Sequence, residues 1–302
     1  MLLDGKVAIV TGSGRGLGRV EALELALQGA RVIIQDLEVT RDGATPADSA
    51  SEQVAEEIRS AGGEAAVSHG DVADWDYARD LVQLAIDTYG GLDIVVNNAG
   101  ILRDRMIFNL GEDEWDAVMR VHLKGHAATS RWATGYWRDK SKETGGPVYG
   151  RIVNTSSEAM FGSPGQPNYA AAKAGITALT ISTARAMVRY GVTANAIAPR
   201  ARTRMTEDLG FFEQPAEGFD PWAPENVAPL VAALASPAAA SISGQLFIVY
   251  GGMVSLVAGP SIDHRFDTEG RWETGTLAST LAPFFEGRRP IEDGVTGTAL
   301  AV

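Results

Sequence analysis

Near its N-terminus the chain reads Val7-Ala8-Ile9-Val10-Thr11-Gly12-Ser13-Gly14-Arg15-Gly16-Leu17-Gly18. The apolar run that opens this stretch is typical of a buried parallel strand. From Leu17 to Leu27 apolar residues recur at helical spacing, and Gly29 ends the helix. A strand, a glycine-rich turn and a helix in this order suit a dinucleotide pyrophosphate, because the backbone can approach closely and the helix N-terminus carries partial positive charge. The spacing is T-G-x-x-x-G-x-G rather than G-x-G-x-x-G, and a purely structural tight turn is the alternative.

Apolar runs and helical patterns alternate along the rest of the chain. They predict an α/β fold with a doubly wound parallel sheet of seven strands. The expected strands are 7–10, 31–35, 64–68, 92–96, 151–153, 193–198 and 245–249, and the longest expected helices are 112–138 and 169–190. We expect one Rossmann domain over residues 1–252, in which the aromatic-rich segment 200–229 is either a mobile lid or a fixed surface loop. Residues 253–302 have no clear period and are expected to cap the substrate site or contact a neighbouring subunit, with disorder in about the last ten residues.

The composition narrows the functional classes. Of 302 residues 45% are apolar, which is enough for a sizeable core. The net charge of -12 disfavours nucleic acid or an anionic membrane as a partner, because both are polyanions. There is no cysteine and the four histidines are scattered, so disulfides and Fe–S clusters are excluded and no metal site is predicted. No stretch reaches about 18 apolar residues, so we expect no signal peptide or membrane span, and a cytoplasmic location.

An acidic residue ends the second expected strand. Asp36 follows Gly18 by 18 residues, close to the spacing of about 20 at which a carboxylate bonds an adenosine ribose. The same carboxylate repels a 2′-phosphate, so it favours NAD over NADP. Arg15 could favour NADP by pairing with that phosphate, but Leu37 offers no second cation and a solvated loop arginine is the commoner case. Asp71, after the third strand, can reach the adenine edge or cap the next helix.

A phenol and an ammonium lie four residues apart in an alanine-rich stretch, Tyr169-Ala170-Ala171-Ala172-Lys173. In a helix this spacing puts both side chains on one face. A neighbouring cation favours the phenolate, so the spacing predicts that Tyr169 transfers protons near neutral pH. Such a pair alone is only suggestive, and its weight comes from the other motifs.

The motifs stand in a fixed order along the chain. They are Thr11-Gly12-Ser13-Gly14-Arg15-Gly16-Leu17-Gly18, Asp36, Asp71-Val72, Asn97-Asn98-Ala99-Gly100, Ser156-Ser157 and Tyr169-x-x-x-Lys173. Together they resemble the short-chain dehydrogenase/reductase family over about residues 1–252. A narrower likeness is to the (3R)-hydroxyacyl-CoA dehydrogenase module of peroxisomal multifunctional enzymes, also called 17β-hydroxysteroid dehydrogenase type 4, and its bacterial relatives. Asn97 to Arg105, Val121-His122-Leu123-Lys124-Gly125 and Arg204-Met205-Thr206 carry that likeness.

The resemblance implies an NAD-dependent enzyme and assigns its site residues. Tyr169 would exchange the proton on the substrate oxygen, Lys173 would lower its pKa and bond the nicotinamide ribose, and a serine would hydrogen-bond the substrate oxygen. The implied catalytic residues are Ser157, Tyr169, Lys173 and His122. The implied cofactor contacts are Gly12, Ser13, Arg15, Gly16, Leu17, Gly18, Asp36, Asp71, Val72, Asn98, Ala99, Gly100, Thr155, Pro199 and Thr203.

Three positions depart from the family pattern. His122 stands where most members have asparagine, and it is either an anchor for a proton-relay water or a buried structural histidine. Counting back 13 residues from the tyrosine selects Ser156 as the serine, whereas counting along the strand selects Ser157, which we prefer because a strand fixes direction more firmly than a loop fixes length. The usual Pro-Gly is Pro199-Arg200, which makes the expected contact of Thr203 with the nicotinamide carboxamide less secure.

The leading hypothesis is oxidation of a secondary alcohol to a ketone, on a (3R)-3-hydroxyacyl-CoA that can carry a bulky or steroid-derived acyl group. Arginines at 103, 105, 200, 202 and 204 could hold the CoA phosphates, or could be ordinary solvated or paired groups. The alternatives are an alcohol or ketosteroid dehydrogenase or a 3-oxoacyl reductase that does not use CoA thioesters, and an NAD-sensing binding protein. The resemblance also implies a homodimer or homotetramer that pairs through the two long helices.

Overall fold

The apolar runs form the strands of one sheet. The computed structural model describes residues 1–38, 49–203, 214–215 and 217–286. Its strands are β1 (Val7–Thr11), β2 (Arg31–Asp36), β3 (Ala65–His69), β4 (Ile94–Asn97), β5 (Gly150–Thr155), β6 (Val192–Pro199), β7 (Leu246–Tyr250) and β8 (Met253–Leu256). They lie in the order β3-β2-β1-β4-β5-β6-β7-β8, and the first seven pair in parallel. The predicted α/β fold is confirmed.

Strand β8 is an addition to the prediction. It pairs antiparallel with β7 after the turn at Gly251 and Gly252. Val254 and Leu256 are 53% and 61% exposed, so the strand has no buried stripe. A short edge strand of this kind is held by backbone pairing, which leaves little trace in the hydrophobic pattern.

Helices cover both faces of the sheet. They are α1 (Gly16–Leu27), α2 (Ala50–Ser60), α3 (Trp75–Tyr89), α4 (Glu112–Met119), α5 (Gly125–Thr144), α6 (Pro167–Met187), α7 (Ala228–Ala235) and α8 (Thr274–Phe285). Apolar side chains of α1, α2 and α7 pack on one face, and those of α3, α5 and α6 pack on the other. The chain order reverses between β1 and β4, so the carboxyl ends of these strands border the crevice in which such folds bind ligands.

The predicted helix at 112–138 is divided in the structure. A π-helical turn, Arg120–Lys124, separates α4 from α5, and the N–H of Gly125 donates to the carbonyl of Arg120. Single π-turns inside α-helices are frequent at functional sites. His122 lies in this turn, and its position therefore depends on the irregularity.

The chain divides into two compact units, residues 1–257 and 258–302. Within the second unit, His264, Phe266 and Phe284 form a cluster with ring centroids 4.5–4.9 Å apart. The expected disorder of the last residues lies outside the described part of the chain. None of the described helices is long and apolar enough to cross a bilayer.

The predicted lid at 200–229 is described only in part, because residues 204–213 and 216 lie outside the described ranges. At its start, Arg202 forms an ion pair with Asp220. Further along, the ring of Trp222 stacks on Tyr250 of β7 at a centroid distance of 4.9 Å. The described part of the segment is thus attached to the sheet, and a lid movement of the remainder stays a prediction.

Candidate active site

The glycine-rich turn lies at the crevice and leaves no room for side chains. Gly12 and Gly16 have φ of +64° and +56°, which favour glycine. A Cβ on Gly18 would lie 2.3 Å from the carbonyl oxygen of Gly12. Helix α1 has no side-chain cap at Arg15 and no acidic residue in its first turn. In the described part of the chain its N-terminal amides are therefore not capped by a carboxylate or a hydroxyl. This bare, tightly packed turn fits the pyrophosphate of a dinucleotide.

Asp36 is held beside this turn. Its Oδ2 accepts the N–H of Gly14 at 2.9 Å, and its Oδ1 accepts the N–H of Glu38 at 3.3 Å. A Cβ on Gly14 would lie 3.0 Å from that Oδ2. The carboxylate at the end of β2 is therefore placed where it can accept the hydroxyls of a ribose bound at the turn.

Ser13, Arg15 and Leu17 contribute unequally to this site. Ser13 is fully buried, its hydroxyl donates to the carbonyl of Val10 at 2.8 Å, and its N–H donates to the carbonyl of Gln35 at 2.9 Å. The polar atoms of Ser13 are thus used by the strands, and its predicted contact with the cofactor stays a prediction. Arg15 is exposed at the start of α1, and Leu17 packs partly against the core.

The end of β4 forms the opposite wall. The side-chain amide of Asn98 donates to the carbonyls of Thr11 and Gly12 at 3.1 and 3.2 Å. The N–H groups of Asn98 and Ala99 donate to the Thr11 hydroxyl at 3.0 and 3.2 Å. Asn98 thus fixes the glycine turn to β4, and Gly100 packs so closely on His122 that a Cβ there would lie 2.2 Å from Cε1 of the ring.

The residues after β3 are held by α5 and by the π-turn. Asp71 forms an ion pair with Arg120, and its Oδ1 accepts the N–H of Ala73 at 2.9 Å. Val72 is buried, and a Cβ on Gly125 would lie 2.9 Å from it. Asp71 therefore stabilises its own turn and the π-turn, whereas the cap of α3 is Asp74.

Three further predicted contacts come from the strand ends. Thr155 closes β5 and is buried, and its hydroxyl oxygen has no hydrogen-bond partner. Pro199 is the last residue of β6. Thr203 lies against the glycine turn, since a Cβ on Gly16 would come within 3.8 Å of its methyl group. The structure thus places Thr203 and the turn on one side of the crevice.

Tyr169 lies in the first turn of α6, which begins at Pro167. The buried side chain of Asn168 donates to the carbonyls of Arg103 and Glu114 at 2.9 and 3.2 Å. These bonds attach the start of α6 to the chain that follows β4. They fix where the phenol stands relative to the crevice.

Lys173 is one turn further along α6 and is 2% exposed. Its Nζ donates to the carbonyl oxygen of Thr155 at 2.6 Å and lies 5.3 Å from the centroid of the Tyr169 ring. The predicted juxtaposition of phenol and ammonium is therefore present. The β5 carbonyl holds the ammonium behind the ring.

The two serines after β5 point in different directions. The Ser156 hydroxyl is buried and bonds the carbonyl of Lys173 at 3.0 Å and the hydroxyl of Thr177 at 2.9 Å. The Ser157 hydroxyl accepts the N–H of Ala159 at 3.2 Å, and its side chain lies near enough to Tyr169 to lower the pKa of the phenol. Because strand residues alternate sides, one serine must face the helix and the other the crevice. Ser157 is the one placed against the phenol.

Two histidines lie behind Tyr169. The ring of His122 is buried, meets Tyr169 edge-on at a centroid distance of 5.2 Å, and bonds the backbone of Ile101 through Nε2. His126, four residues on, is 2% exposed. Nδ1 of His122 and Nε2 of His126 are buried without hydrogen-bond partners. The structure makes His122 part of the wall of the site, and its predicted role as a water anchor stays open.

Burial decides the protonation of this cluster. It raises the pKa of Tyr169 to about 12, although the Ser157 side chain opposes the rise. It lowers the pKa of Lys173 to about 7. Burial, and then the charge of Lys173, lower the pKa of His122 well below its ordinary value and that of His126 to about 3. Burial thus dominates the pKa of both groups in the protein alone, and the predicted lowering of the phenol's pKa by Lys173 stays a prediction.

Comparison with known protein families matches residues 6–211 to the short chain dehydrogenase family. The chain belongs to this family. This short-chain dehydrogenase is 52% identical over 294 residues to "Hydroxyacyl-CoA dehydrogenase ChsB1" of Mycobacterium tuberculosis, covering 95% of this chain and 91% of the relative. It is 42% identical over 229 residues to "Peroxisomal multifunctional enzyme type 2" of Mus musculus, covering 76% of this chain and 29% of that protein.

A solved structure supports the same membership. The crystal structure of a short chain dehydrogenase from Mycobacterium avium superposes on this chain with a TM-score of 0.86 at 50% identity, and covers 96% of this chain and 98% of that one. The predicted resemblance is confirmed, including its hydroxyacyl-CoA dehydrogenase and multifunctional-enzyme relatives. This short-chain dehydrogenase is an oxidoreductase that acts on CH–OH groups with a nicotinamide cofactor.

A buried amide network, which the sequence did not predict, lies under the site of this short-chain dehydrogenase. The Asn97 amide donates to Asn154 at 2.9 Å and accepts from Thr129 at 2.5 Å, and the Asn154 amide donates to Thr180 at 2.8 Å. These bonds join β4, β5, α5 and α6. Asparagines at the same register of two strands were the available signal, since Asn97 pairs with Asn154. His126 was missed as well, although it lies one turn from His122.

Proposed function

We propose that this short-chain dehydrogenase oxidises the 3-hydroxyl of (3R)-3-hydroxyacyl-CoA thioesters, steroid-derived ones included, with NAD. The observation that carries the proposal is the position of Lys173, whose Nζ lies 5.3 Å from the centroid of the Tyr169 ring, with the Ser157 side chain near the same phenol. These groups supply a proton-transfer residue and a donor to one substrate oxygen. The 52% identity to a hydroxyacyl-CoA dehydrogenase supports the substrate class.

The protein's part in the reaction is proton transfer and orientation. Ser157 donates to the substrate oxygen, and Tyr169 exchanges the proton on that oxygen. The glycine turn, Asp36 and Lys173 would hold NAD, whose oxidised nicotinamide would supply the hydride acceptor and a positive charge. With a pKa of about 12 the free enzyme holds the neutral phenol, which suits proton donation to a ketone. Oxidation therefore requires that added positive charge beside Tyr169 favour the phenolate.

The arginines proposed to hold CoA differ in what they contact. Arg105 pairs with Glu114 at 3.1 Å, Arg200 with Glu158 at 2.5 Å, and Arg202 with Asp220, while Arg204 lies outside the described residues. Within the described part of the chain, Arg103 has no carboxylate partner, and its guanidinium bonds only the carbonyl of Leu102. We therefore assign the phosphate contact to Arg103.

Beside Arg103 lies an exposed apolar segment. Met106, Ile107 and Phe108 are 44%, 66% and 75% exposed. A Cβ on Gly165 would lie 3.7 Å from the sulfur of Met106, so the segment borders the loop that leads into α6. A cation next to apolar side chains suits a substrate with a phosphate handle and an apolar acyl chain. We propose that the acyl chain lies on this segment.

Turnover of a panel of substrates tests the proposal. We expect 3-hydroxyacyl-CoA thioesters to be oxidised with NAD more efficiently than the free acids or simple steroid alcohols, and Arg103→Ala to raise KM for the thioester about tenfold without changing kcat. Arg138→Ala, which removes an exposed arginine paired with Asp139, is the matched control and should change neither constant. Equal efficiencies on thioester and free acid would remove CoA from the proposal.

Replacing the phenol tests the chemistry. Tyr169→Phe should abolish turnover and leave NAD binding nearly intact, because the ring still packs on His122 and only the hydroxyl is lost. Unchanged turnover would refute Tyr169 as the proton-transfer residue, whereas absence of turnover in the wild type together with NAD binding would favour an NAD-sensing role. Preference for NADPH in ketone reduction would favour the alternative of a 3-oxoacyl reductase, to which the raised pKa of Tyr169 is also suited.

Assembly and location follow the same proposal. We propose a homodimer or homotetramer that pairs through α5 and α6, in the cytoplasm. Sedimentation of the purified chain tests the assembly, and a monomer at micromolar concentration would refute it.

A further inference from the structure

Glu38 has an unusual backbone and an unusual environment. Among the described residues other than glycine, it is the one with a positive φ, at +47°. That conformation costs about 1–2 kcal/mol for a residue with a Cβ. Its side chain is nevertheless only 3% exposed. A strained backbone that buries a carboxylate indicates that surrounding contacts hold the residue in place.

The contacts of Glu38 lie at the N-terminus of α2. Its Oε1 accepts the N–H of Ser51 at 2.5 Å, while Oε2 has no hydrogen-bond partner and lies 3.6 Å from Nδ1 of His69. The next amide of the helix, that of Glu52, donates to the hydroxyl of Ser49 at 3.1 Å. The buried carboxylate of Glu38 thus occupies the positive end of an 11-residue helix.

This helix end adjoins the predicted ribose site. A Cβ on Gly14 would lie 3.0 Å from Oδ2 of Asp36, 3.3 Å from the hydroxyl of Ser51 and 3.4 Å from Cβ of Ala50. Asp36 and the first turn of α2 are therefore neighbours at the glycine turn. A phosphate on a ribose bound to Asp36 would meet this turn, whose free amides would otherwise attract it.

The structure assigns Glu38 a role in cofactor specificity. We propose that its carboxylate takes the anion-binding end of α2 and, together with Asp36, excludes the 2′-phosphate of NADP. This extends the proposed use of NAD and rests on it. Asp36 repels the 2′-phosphate at the ribose. Glu38 blocks the backbone amides at the start of α2, which could otherwise bind the phosphate and offset that repulsion. Removing Asp36 alone then leaves the part of the exclusion that Glu38 supplies.

Burial raises the pKa of Glu38, but hydrogen bonds from Ser49 and Ser51 more than offset that effect, and the net pKa lies below its ordinary value. Glu38 is therefore ionised near neutral pH, as the role requires. His69 faces the same carboxylate from β3.

Nucleotide binding measured by calorimetry, without any alcohol substrate, tests this role. The probes are 5′-AMP and 2′,5′-ADP, and the proteins are the wild type, Glu38→Gln, Asp36→Asn and the double variant. In the wild type we expect 5′-AMP to bind and 2′,5′-ADP to bind at least tenfold more weakly. In each single variant the ratio of the two dissociation constants, 2′,5′-ADP over 5′-AMP, should fall about tenfold or less, because one negative charge near the phosphate is removed while the other remains. In the double variant this ratio should fall by more than the product of the two single-variant factors.

Two further variants make the outcome decisive. Glu52→Gln removes a charge from the same turn, where the carboxylate is 54% exposed, and should change the ratio less than twofold. Glu38→Gly removes both the charge and the strain of the left-handed backbone. If the charge causes the discrimination, this variant should discriminate between the two nucleotides as Glu38→Gln does. Wild-type discrimination in folded Glu38→Gln would overturn the proposal. Loss of 5′-AMP binding in both Glu38 variants would overturn it too, because Glu38 would then only support the turn. A failure to oxidise thioesters would leave all of these results unchanged and would refute only the proposed substrate.

Discussion

Among the described residues, Glu21 is buried with no partner for its charge. It is on α1, is 0% exposed, and neither of its carboxylate oxygens has a hydrogen-bond partner. Burial raises its pKa from 4.5 to about 8. We predict that Glu21→Gln, which keeps the shape and removes the charge, makes the stability of the protein less dependent on pH.

The magnitude follows from the two pKa values. The folded value exceeds the unfolded one, so the unfolded chain loses the proton first and stability falls as pH rises from 4.5 to about 8. At 1.36 kcal/mol per pH unit, ionisation of Glu21 lowers the free energy of unfolding by about 2 kcal/mol at pH 6, about 3 at pH 7 and about 5 at pH 9. Burying the glutamine amide also lowers the free energy of unfolding, by an amount that does not change with pH. The difference between variant and wild type should therefore change by about 3 kcal/mol in favour of the variant between pH 6 and pH 9.

Urea unfolding followed by circular dichroism at pH 6, 7, 8 and 9 measures this difference, at one protein concentration. Glu24→Gln is the matched control on the same helix, because Glu24 is only half-buried and accepts a hydrogen bond from Gln28 at 2.9 Å. Its effect should be small and similar at each pH. A difference for Glu21→Gln that stays constant from pH 6 to pH 9 would refute the reasoning and would mean that the carboxylate finds water or a cation.

Three other predictions concern the site. Ser157→Ala should lower kcat by about a hundredfold or more, as expected for loss of a donor to the reacting oxygen. Ser156→Ala, which loses hydrogen bonds to α6, should cost about 1 kcal/mol of stability and little activity. Similar kinetics for the two variants would contradict the assignment of Ser157 as the catalytic serine. Gly18→Ala should lose about 2 kcal/mol in urea unfolding and weaken nucleotide binding, since its Cβ would lie 2.3 Å from a carbonyl oxygen, while Gly146→Ala, with nothing within 4 Å, should not affect binding. Because Tyr169 must lose a proton before it accepts one, and its pKa is raised to about 12, kcat/KM for oxidation should rise with pH between 6 and 8.5; a flat profile would count against it.

Local sequence patterns were sufficient to predict the parallel sheet and the order of the candidate site motifs along the chain. The apolar runs at 7–10 and 31–35 needed only to be buried on both faces, and seven such runs alternating with helices permit few arrangements. Tyr169 and Lys173 could be paired because a helix puts residues four apart on one face. Strand β8 and the π-turn were not visible, because backbone pairing at an edge and one extra residue in a helix leave no periodic signal.

The sequence alone determined the fold, and it was enough to predict the cofactor turn and the proton-transfer pair, since each depends on contacts within one or two elements. Tertiary structure decided which serine meets the phenol, because that depends on how β5 and α6 face each other. It also decided the protonation of Tyr169 and Lys173, which neighbours in sequence cannot predict. Desolvation is the sum over everything packed around a group, and the residues that bury this pair come from β5, the π-turn and the chain after β4.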